Sequence, residues 1–211
     1  MLKRLRTDII LHMQKKITLY LIVLFAILTG IASGIFTAGA MTIDQKLALG
    51  SYLETFFQQN IHESVNRNAV FWQSTKQNIQ CSFIIWLAGF VLFGIPFVFL
   101  FVGIRSFFIG FAVGFLLEQY RVGGFLFSLL CIFPQTLIYL SGFLLIGVIA
   151  MENSMERFKN RKTTLPREQI KRETMQYIMK TVILLLFLTI GSLLEAYVTP
   201  AFFGLFKWVF N

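Results

Sequence analysis

The sequence predicts an all-α, polytopic membrane protein with five transmembrane helices and one amphipathic extracytoplasmic helix. Of its 211 residues, 56% are hydrophobic and only 14% are charged, a composition far from that of an ordinary soluble domain. The apolar residues are gathered in stretches about as long as the roughly 20 residues that a helix needs to cross the hydrocarbon. The basic residues lie beside these stretches. We therefore expect one membrane domain over residues 1–211, without a separate soluble catalytic domain.

Five apolar stretches are predicted to span the bilayer. They comprise residues 18–40, 79–103, 104–118, 124–150 and 178–199. The third is short and follows the second with little polar interruption, so a re-entrant hairpin is the alternative to a full crossing. The first is too long for the apolar region of a signal peptide, and we interpret it as a retained anchor.

The basic residues orient these spans. With a cytoplasmic N-terminus and five crossings, fourteen Lys and Arg residues face the cytoplasm and five face outward, as the positive-inside rule requires. The C-terminus is then extracytoplasmic, and Arg105 lies at the cytoplasmic turn between spans two and three. The basic segment 151–177 becomes a cytoplasmic loop, expected to form two helices with a turn at Leu165 and Pro166. It is either a solvated face near anionic lipid or a docking surface for a cytoplasmic partner.

The outer segment 41–78 carries a helix-start signal followed by an apolar helical repeat. Thr42 and Gln45 have capping-box spacing, and the residues after them predict an amphipathic helix; polar residues 60–68 are expected to form a linker. The helix either lies against the headgroups or the bundle, or offers a docking surface to an extracytoplasmic partner. Trp72 also suits an interfacial anchor. The candidate partner-binding residues are Leu47, Tyr52, Leu53, Phe56, Phe57 and Trp72.

Four polar residues in or beside the predicted spans are candidate structural residues: Glu118, Arg121, Gln135 and Glu195. A charge in hydrocarbon costs about 2.5–3.5 kcal/mol on insertion scales, so such groups usually face other protein or water. Glu195 lies near the outer boundary, where pairing with Arg121 is sterically conceivable as a clamp between helices. An ion or substrate route and simple interfacial exposure are the alternatives.

Pro134 and its neighbour Gln135 interrupt the fourth span. Proline removes a backbone hydrogen bond and kinks a helix, and a nearby amide can satisfy the freed groups. We expect a structural kink here, although transporters also use broken helices near the bilayer midplane.

Small residues recur every four positions on two spans. Gly30 and Gly34 share one face of the first span, and Ser106, Gly110 and Gly114 share one face of the third. Such faces allow close helix approach, either within the subunit or in a homo-oligomer.

The residues that catalysis would need are scarce. His12 and His62 fall on opposite sides of the membrane, and Cys81 and Cys131 lie in apolar segments without metal-ligand spacing. No phosphate-binding loop, HExxH or GxSxG motif is present. We expect no catalytic residues, no metal, no cofactor and no enzymatic activity. Membrane topology accounts for the net charge of +9, so we expect membrane lipid rather than nucleic acid as a partner.

Several stretches, in this order, resemble the stage II sporulation protein M family. They are LHMQKKITLYL before and into span one, FWQS before span two, GFAVGFLLEQ in span three, FPQTL in span four and SLLEAYVTP in span five. The resemblance covers nearly the whole chain, and the expected length and five-span plan agree with it.

The resemblance implies a non-enzymatic scaffold in the mother-cell plasma membrane of endospore-forming bacteria. Such a protein would recruit the peptidoglycan-degrading stage II sporulation proteins D and P to the septal membrane during forespore engulfment. A permease-like component of a transport system with a separate ATPase is the alternative, supported by the interrupted fourth span, the short third span and Glu195.

Overall fold

The chain is almost entirely helical over the residues that a computed structural model describes, which are 16–62, 66–91, 93–159 and 167–203. Its elements are α1 (Ile17–Gly39), α2 (Ile43–His62), α3 (Arg67–Ala88), α4 (Gly94–Phe127), a π-helical segment (Ser128–Ile132), α5 (Phe133–Lys159) and α6 (Arg167–Phe203). The all-α prediction is confirmed for this part of the chain.

Five of these helices pack side by side and alternate in direction along the sequence. α1 runs parallel to α4, because Gly30 lies against Ser106 and Gly39 lies near Glu118. α3 runs antiparallel to α6, since Tyr177 bonds Trp86 and Arg67 lies over the ring of Tyr197. α5 is antiparallel to both neighbours, as shown by the contacts of Ser154 with Gly94 and of Tyr139 with Glu195. We call the two ends of the bundle the Lys16 end and the Gly39 end.

The chain reverses direction inside α4 at Arg121, whose φ of 48° is non-helical. Arg121 is the one non-glycine residue with positive φ in the described ranges. After this turn, Gly124 packs directly on the backbone of Leu116 and Leu117. A side chain at Gly124 would collide with that backbone, so the tight turn depends on glycine at this position.

The interruption predicted at Pro134 and Gln135 is present slightly earlier in the sequence. The segment Ser128–Ile132 is π-helical, and the Phe133 N–H donates to the Ser128 carbonyl. Pro134 is the second residue of α5. The disturbance of helical hydrogen bonding expected near Pro134 is therefore accommodated by the wider π turn, since such turns occur as short insertions within α-helices.

Within the described ranges, three helical stretches are long and apolar enough to cross a membrane: Ile17–Gly39, Gly94–Lys159 and Arg167–Val198. The second contains 66 residues and includes the reversal at Arg121, so it consists of two antiparallel arms. α3 has the length of a span, with 22 residues, but its polar side chains keep it outside this set.

The predicted second span, residues 79–103, is not one helix. The chain bends between Ala88 and Gly94, where Asn153 donates to the Gly89 carbonyl (2.9 Å) and Ser154 donates to the Val91 carbonyl (2.7 Å). The helix that leads to this bend is α3, which begins at Arg67, well before residue 79. Much of what was predicted as outer segment 41–78 and linker 60–68 is therefore α2 and α3.

Two further expectations change with these boundaries. Arg105, expected at a turn, lies within α4, about 16 Å along the helix axis from Gly94. The segment 151–177 consists largely of extensions of α5 and α6, while the turn expected at Leu165 and Pro166 lies outside the described residues. The segment 151–177 was mispredicted because α5 and α6 continue past the ends of their apolar stretches. The turn at Arg105 was mispredicted because a single charged residue was taken as a boundary, although such a residue can lie within a membrane helix that is packed on other protein.

The apolar core lies toward the Lys16 end. It includes Val23, Val98, Phe143, Ile146 and Leu188, each at most 1% exposed. At that end Lys16 pairs with Glu152. This core joins all five packed helices, with Ile85 and Ala88 contributed by α3, and it fixes the positions from which the side chains nearer the Gly39 end project.

Candidate functional site

The five small residues singled out in the sequence form the contact between α1 and α4. A Cβ added at Gly34 would lie 2.6 Å from the Phe111 nitrogen, and one at Gly114 would lie 2.9 Å from the Ile35 Cα. Gly30, Gly110 and Ser106 lie at the same contact. Small side chains thus allow the two backbones to approach closely, and the structure places this face inside the subunit.

A chain of polar side chains crosses the apolar bundle and joins four helices. Asn78 of α3 donates to the Ser192 hydroxyl of α6 at 3.1 Å, and Tyr139 of α5 donates to the Glu195 carboxylate at 2.6 Å. Tyr139 also lies 3.5 Å from the Ser192 hydroxyl. Arg105 of α4 donates to the Asn78 carbonyl oxygen at 3.4 Å. Polar groups in such surroundings are costly unless hydrogen-bonded, and the hydrogen bonds among Asn78, Ser192, Tyr139 and Glu195 offset that cost.

Arg105 is the least satisfied member of this network. Its guanidinium lies 5.6 Å from the centre of the Phe143 ring, and its buried Nε has no hydrogen-bond partner in the part of the chain that the structure describes. No carboxylate lies within 4 Å of it among the described residues; the ion pairs there are Lys16 with Glu152 and Lys46 with Glu118. A permanent charge is thus held at a half-buried position in the bundle by an amide and an aromatic face.

The network borders a cavity of about 590 Å³ in the Gly39 half of the bundle. Its walls are mostly apolar. They come from α2, α3, α4, the π-helical segment, α5 and α6, whereas α1 contributes none of the lining residues. The polar side chains that line it are Gln77, Arg105, Gln135, Thr136, Tyr139 and Glu195. A mostly apolar pocket with a few convergent polar groups is typical of small-molecule sites.

The four predicted polar residues do not form one cluster. Glu195 is half-buried and bonds Tyr139, whereas Arg121 is exposed at the turn in α4. The pairing of these two is not formed in the described structure. Glu118 is exposed and pairs with Lys46 of α2 at 2.9 Å. Gln135 is buried and lines the cavity.

α2 begins at the predicted capping box and lies at the Gly39 end. Thr42 N–H donates to the Gln45 side chain (3.1 Å), and Gln45 N–H donates to the Thr42 hydroxyl (3.4 Å), which confirms that prediction. Leu47 and Tyr52 are 64% and 68% exposed. Leu53 faces the cavity together with Leu49; the side chains of Phe56 and Phe57 lie outside the described part of the chain.

α3 buries one polar face and exposes another. Ser74, Thr75, Asn78 and Ser82 are buried against the bundle, while Trp72 is 69% exposed. A second set of polar side chains lies on the exposed surface at helical intervals. This polar stripe consists of Gln73, Lys76, Gln77 and Gln80.

Sequence reasoning did not find Asn78, Tyr139 or Ser192 as members of a site. Asn78 directly precedes a predicted span, and its position was a usable signal, because an amide at a span boundary either lies at the interface or bonds within the bundle. Tyr139 and Ser192 gave no such signal, since Tyr and Ser are common in membrane helices. The described residues contain no group of three or more His, Cys, Asp and Glu side chains that could hold a metal ion.

The fold and this network define a helical membrane protein whose polar residues join its helices and line a cavity. The chain belongs to the stage II sporulation protein M family: the family model matches residues 21–200, which cover most of the sequence. It is therefore a sporulation-related membrane protein. No curated protein and no solved structure gives a significant match.

Proposed function

We propose that this protein is a non-enzymatic membrane scaffold that holds the peptidoglycan-degrading stage II sporulation proteins D and P at the septal membrane during forespore engulfment. The family match supports a sporulation role. The exposed polar stripe of α3 and the exposed apolar surface of α2 are suited to contacts with other proteins. They support the view that the sporulation role consists in assembling partner proteins. The alternative of a permease component has no comparable support from the family match.

The proposed topology has five crossings, made by α1, α3, α4 up to Arg121, the arm from Val122 through α5, and α6. Their alternating directions support it. The Lys16 end is assigned to the cytoplasm, because the positive-inside rule applies to the residues flanking spans and that end carries the larger group of described cations. These are Lys16, Arg157, Lys159, Arg167, Lys171, Arg172 and Lys180. The Gly39 end and the C-terminus then face the cell wall.

The polar stripe of α3 is the main structural observation in support of the scaffold proposal. α3 is about 33 Å long, and the stripe occupies roughly its middle third. Gln77 also lines the cavity, but at that depth the amides of Gln73 and Gln80 and the ammonium group of Lys76 would face hydrocarbon, at a cost of a few kcal/mol for a charge. A partner's membrane helix with complementary polar groups would remove this cost, as polar side chains do between membrane helices.

The apolar surface of α2 is the second proposed docking site. Ile43, Leu47 and Tyr52 are between 64% and 77% exposed. On the wall-facing side, this surface is within reach of partners whose enzymatic domains work outside the cytoplasmic membrane. Lipid headgroups compete for the same surface, so the α3 stripe is the sharper test.

Co-purification from sporulating cells tests the stripe. The variant Gln73→Leu/Gln80→Leu should be inserted at normal level but should capture much less of the D and P proteins. The control is Thr29→Val/Thr37→Val on α1, where both hydroxyls bond carbonyls of their own helix. Equal capture by the stripe variant, the control and the unmodified chain would refute docking on α3.

Cysteine labelling tests the topology. In a chain with Cys81 and Cys131 replaced by Ser, Arg121→Cys should react with an impermeant maleimide on intact cells. Phe93→Cys, at the opposite turn, should react only after permeabilisation. Labelling of both positions from one side would exclude five alternating crossings.

A further inference from the structure

The cavity contains two side chains of opposite charge that do not pair with each other. Arg105 and Glu195 both line it, yet no ion pair joins them within 4 Å in the described residues. The Arg105 Nε is buried, and none of the described side chains or backbone groups forms a hydrogen bond with it. In a low-dielectric site, separated opposite charges attract strongly, so something must hold them apart.

The hydrogen-bond network keeps these charges separate. Asn78 holds Arg105 on one side and donates to Ser192 on the other, and Tyr139 holds the Glu195 carboxylate at 2.6 Å. These contacts come from α3, α5 and α6, so moving either charge toward the other would break bonds between helices. The cavity therefore presents a fixed positive group and a fixed negative group.

Apart from Gln77, Gln135, Thr136 and Tyr139, the rest of the wall is apolar and largely aromatic. Phe108, Phe111, Phe115 and Phe127 line it, together with Leu49 and Leu53 of α2 at the Gly39 end. A volume of about 590 Å³ lies within the roughly 300–1,000 Å³ that is common for ligand sites. The walls suit a hydrocarbon or aromatic body rather than a hydrated ion.

We propose that this cavity binds a zwitterionic amphiphile: a molecule with an anionic group for Arg105, a primary ammonium group for Glu195 and an apolar body. A guanidinium donates to carboxylate or phosphate oxygens in charge-assisted bonds, and a carboxylate accepts from an ammonium group in the same way. A purely anionic ligand would be repelled by Glu195, and a purely cationic one by Arg105. The zwitterion meets both charges at once.

Two sources share this chemistry. One is an aminophospholipid such as phosphatidylethanolamine, reached from the bilayer. The other is a free apolar amino acid, reached from the Gly39 end. Competition distinguishes these two sources. An excess of free amino acid should displace the lipid only if the site binds the free zwitterion.

Native mass spectrometry of the full chain in detergent tests the proposal. Phosphatidylethanolamine and phosphatidylglycerol with identical acyl chains are titrated separately. The unmodified chain should bind phosphatidylethanolamine about tenfold or more tightly, the effect of one charge-assisted hydrogen bond. Displacement of the lipid by excess phenylalanine would assign the site to a free zwitterion, and persistence of the complex would assign it to the lipid. Equal affinity for the two lipids overturns the proposal.

Charge variants identify the site. Glu195→Gln should abolish the preference for the amine-containing lipid, and Arg105→Gln should weaken both lipids about tenfold or more. Arg105→Lys keeps the charge and should retain most of the binding, which separates lost binding from lost folding. The controls Glu118→Gln and Arg121→Gln remove the same charges at exposed positions and should bind as the unmodified chain does. Loss of preference in these controls, or its persistence in Glu195→Gln, would also overturn the assignment.

Discussion

The contact between α1 and α4 gives a sharp prediction, because two glycines of α4 face α1 with different amounts of space. A Cβ at Gly110 would lie 2.7 Å from the Ile31 Cα, whereas the nearest atom to one at Gly103 would be the Ala26 carbonyl oxygen at 3.8 Å. Carbon atoms in contact normally lie about 3.5–4.0 Å apart. Gly110→Ala therefore requires the two helices to separate by roughly 1 Å at this position.

The cost follows from that separation. A gap of about 1 Å forfeits up to half of the dispersion energy of the atoms concerned, and overpacking in a tight core typically costs about 1–3 kcal/mol. We expect Gly110→Ala to lower the free energy of unfolding by about 2 kcal/mol. Gly103→Ala adds an ordinary contact and should change stability by less than about 1 kcal/mol.

Unfolding of the purified chain in mixed micelles of increasing SDS content, followed by circular dichroism, measures the difference. Gly103→Ala is the matched control, since it makes the same change on the same helix facing the same partner. If the two variants unfold at the same SDS fraction, the close approach of α1 and α4 is not a determinant of stability and this reasoning is wrong.

Two further predictions use the same assay. Tyr139→Phe should destabilise the bundle by about 1–3 kcal/mol, because the half-buried Glu195 carboxylate loses its donor; a double variant that also carries Glu195→Gln should lose little more, and additive losses would contradict the coupling. Lys16→Met should cost about 2 kcal/mol, between the values for exposed and buried pairs, because its partner Glu152 is only 11% exposed in its side chain. Adding Glu152→Gln should restore part of that loss, and no recovery would show that the pair is not the cause.

The sequence predicted the all-α class, the first helix and several local signals correctly. α1 agrees with the first predicted span within about a residue, as expected where an apolar stretch is bounded by polar residues. The capping box of Thr42 and Gln45 and the small residues on α1 and α4 depend on side chains a few positions apart, so spacing alone identifies them. These features depend only on residues close together in the chain, so they can be predicted from the sequence without knowledge of the tertiary structure.

Only the tertiary structure showed that α3 enters the bundle at Arg67 and that Arg105 is a half-buried residue within α4 rather than part of a turn. A hydropathy window averages over all faces of a helix, so buried Ser74, Asn78 and Ser82 lower the score of a helix that is packed on one side. The partner of Glu195 is Tyr139, 56 residues away in the chain. Which polar groups meet depends on how five helices are rotated and paired, and that is decided by packing across the whole bundle rather than by any one segment.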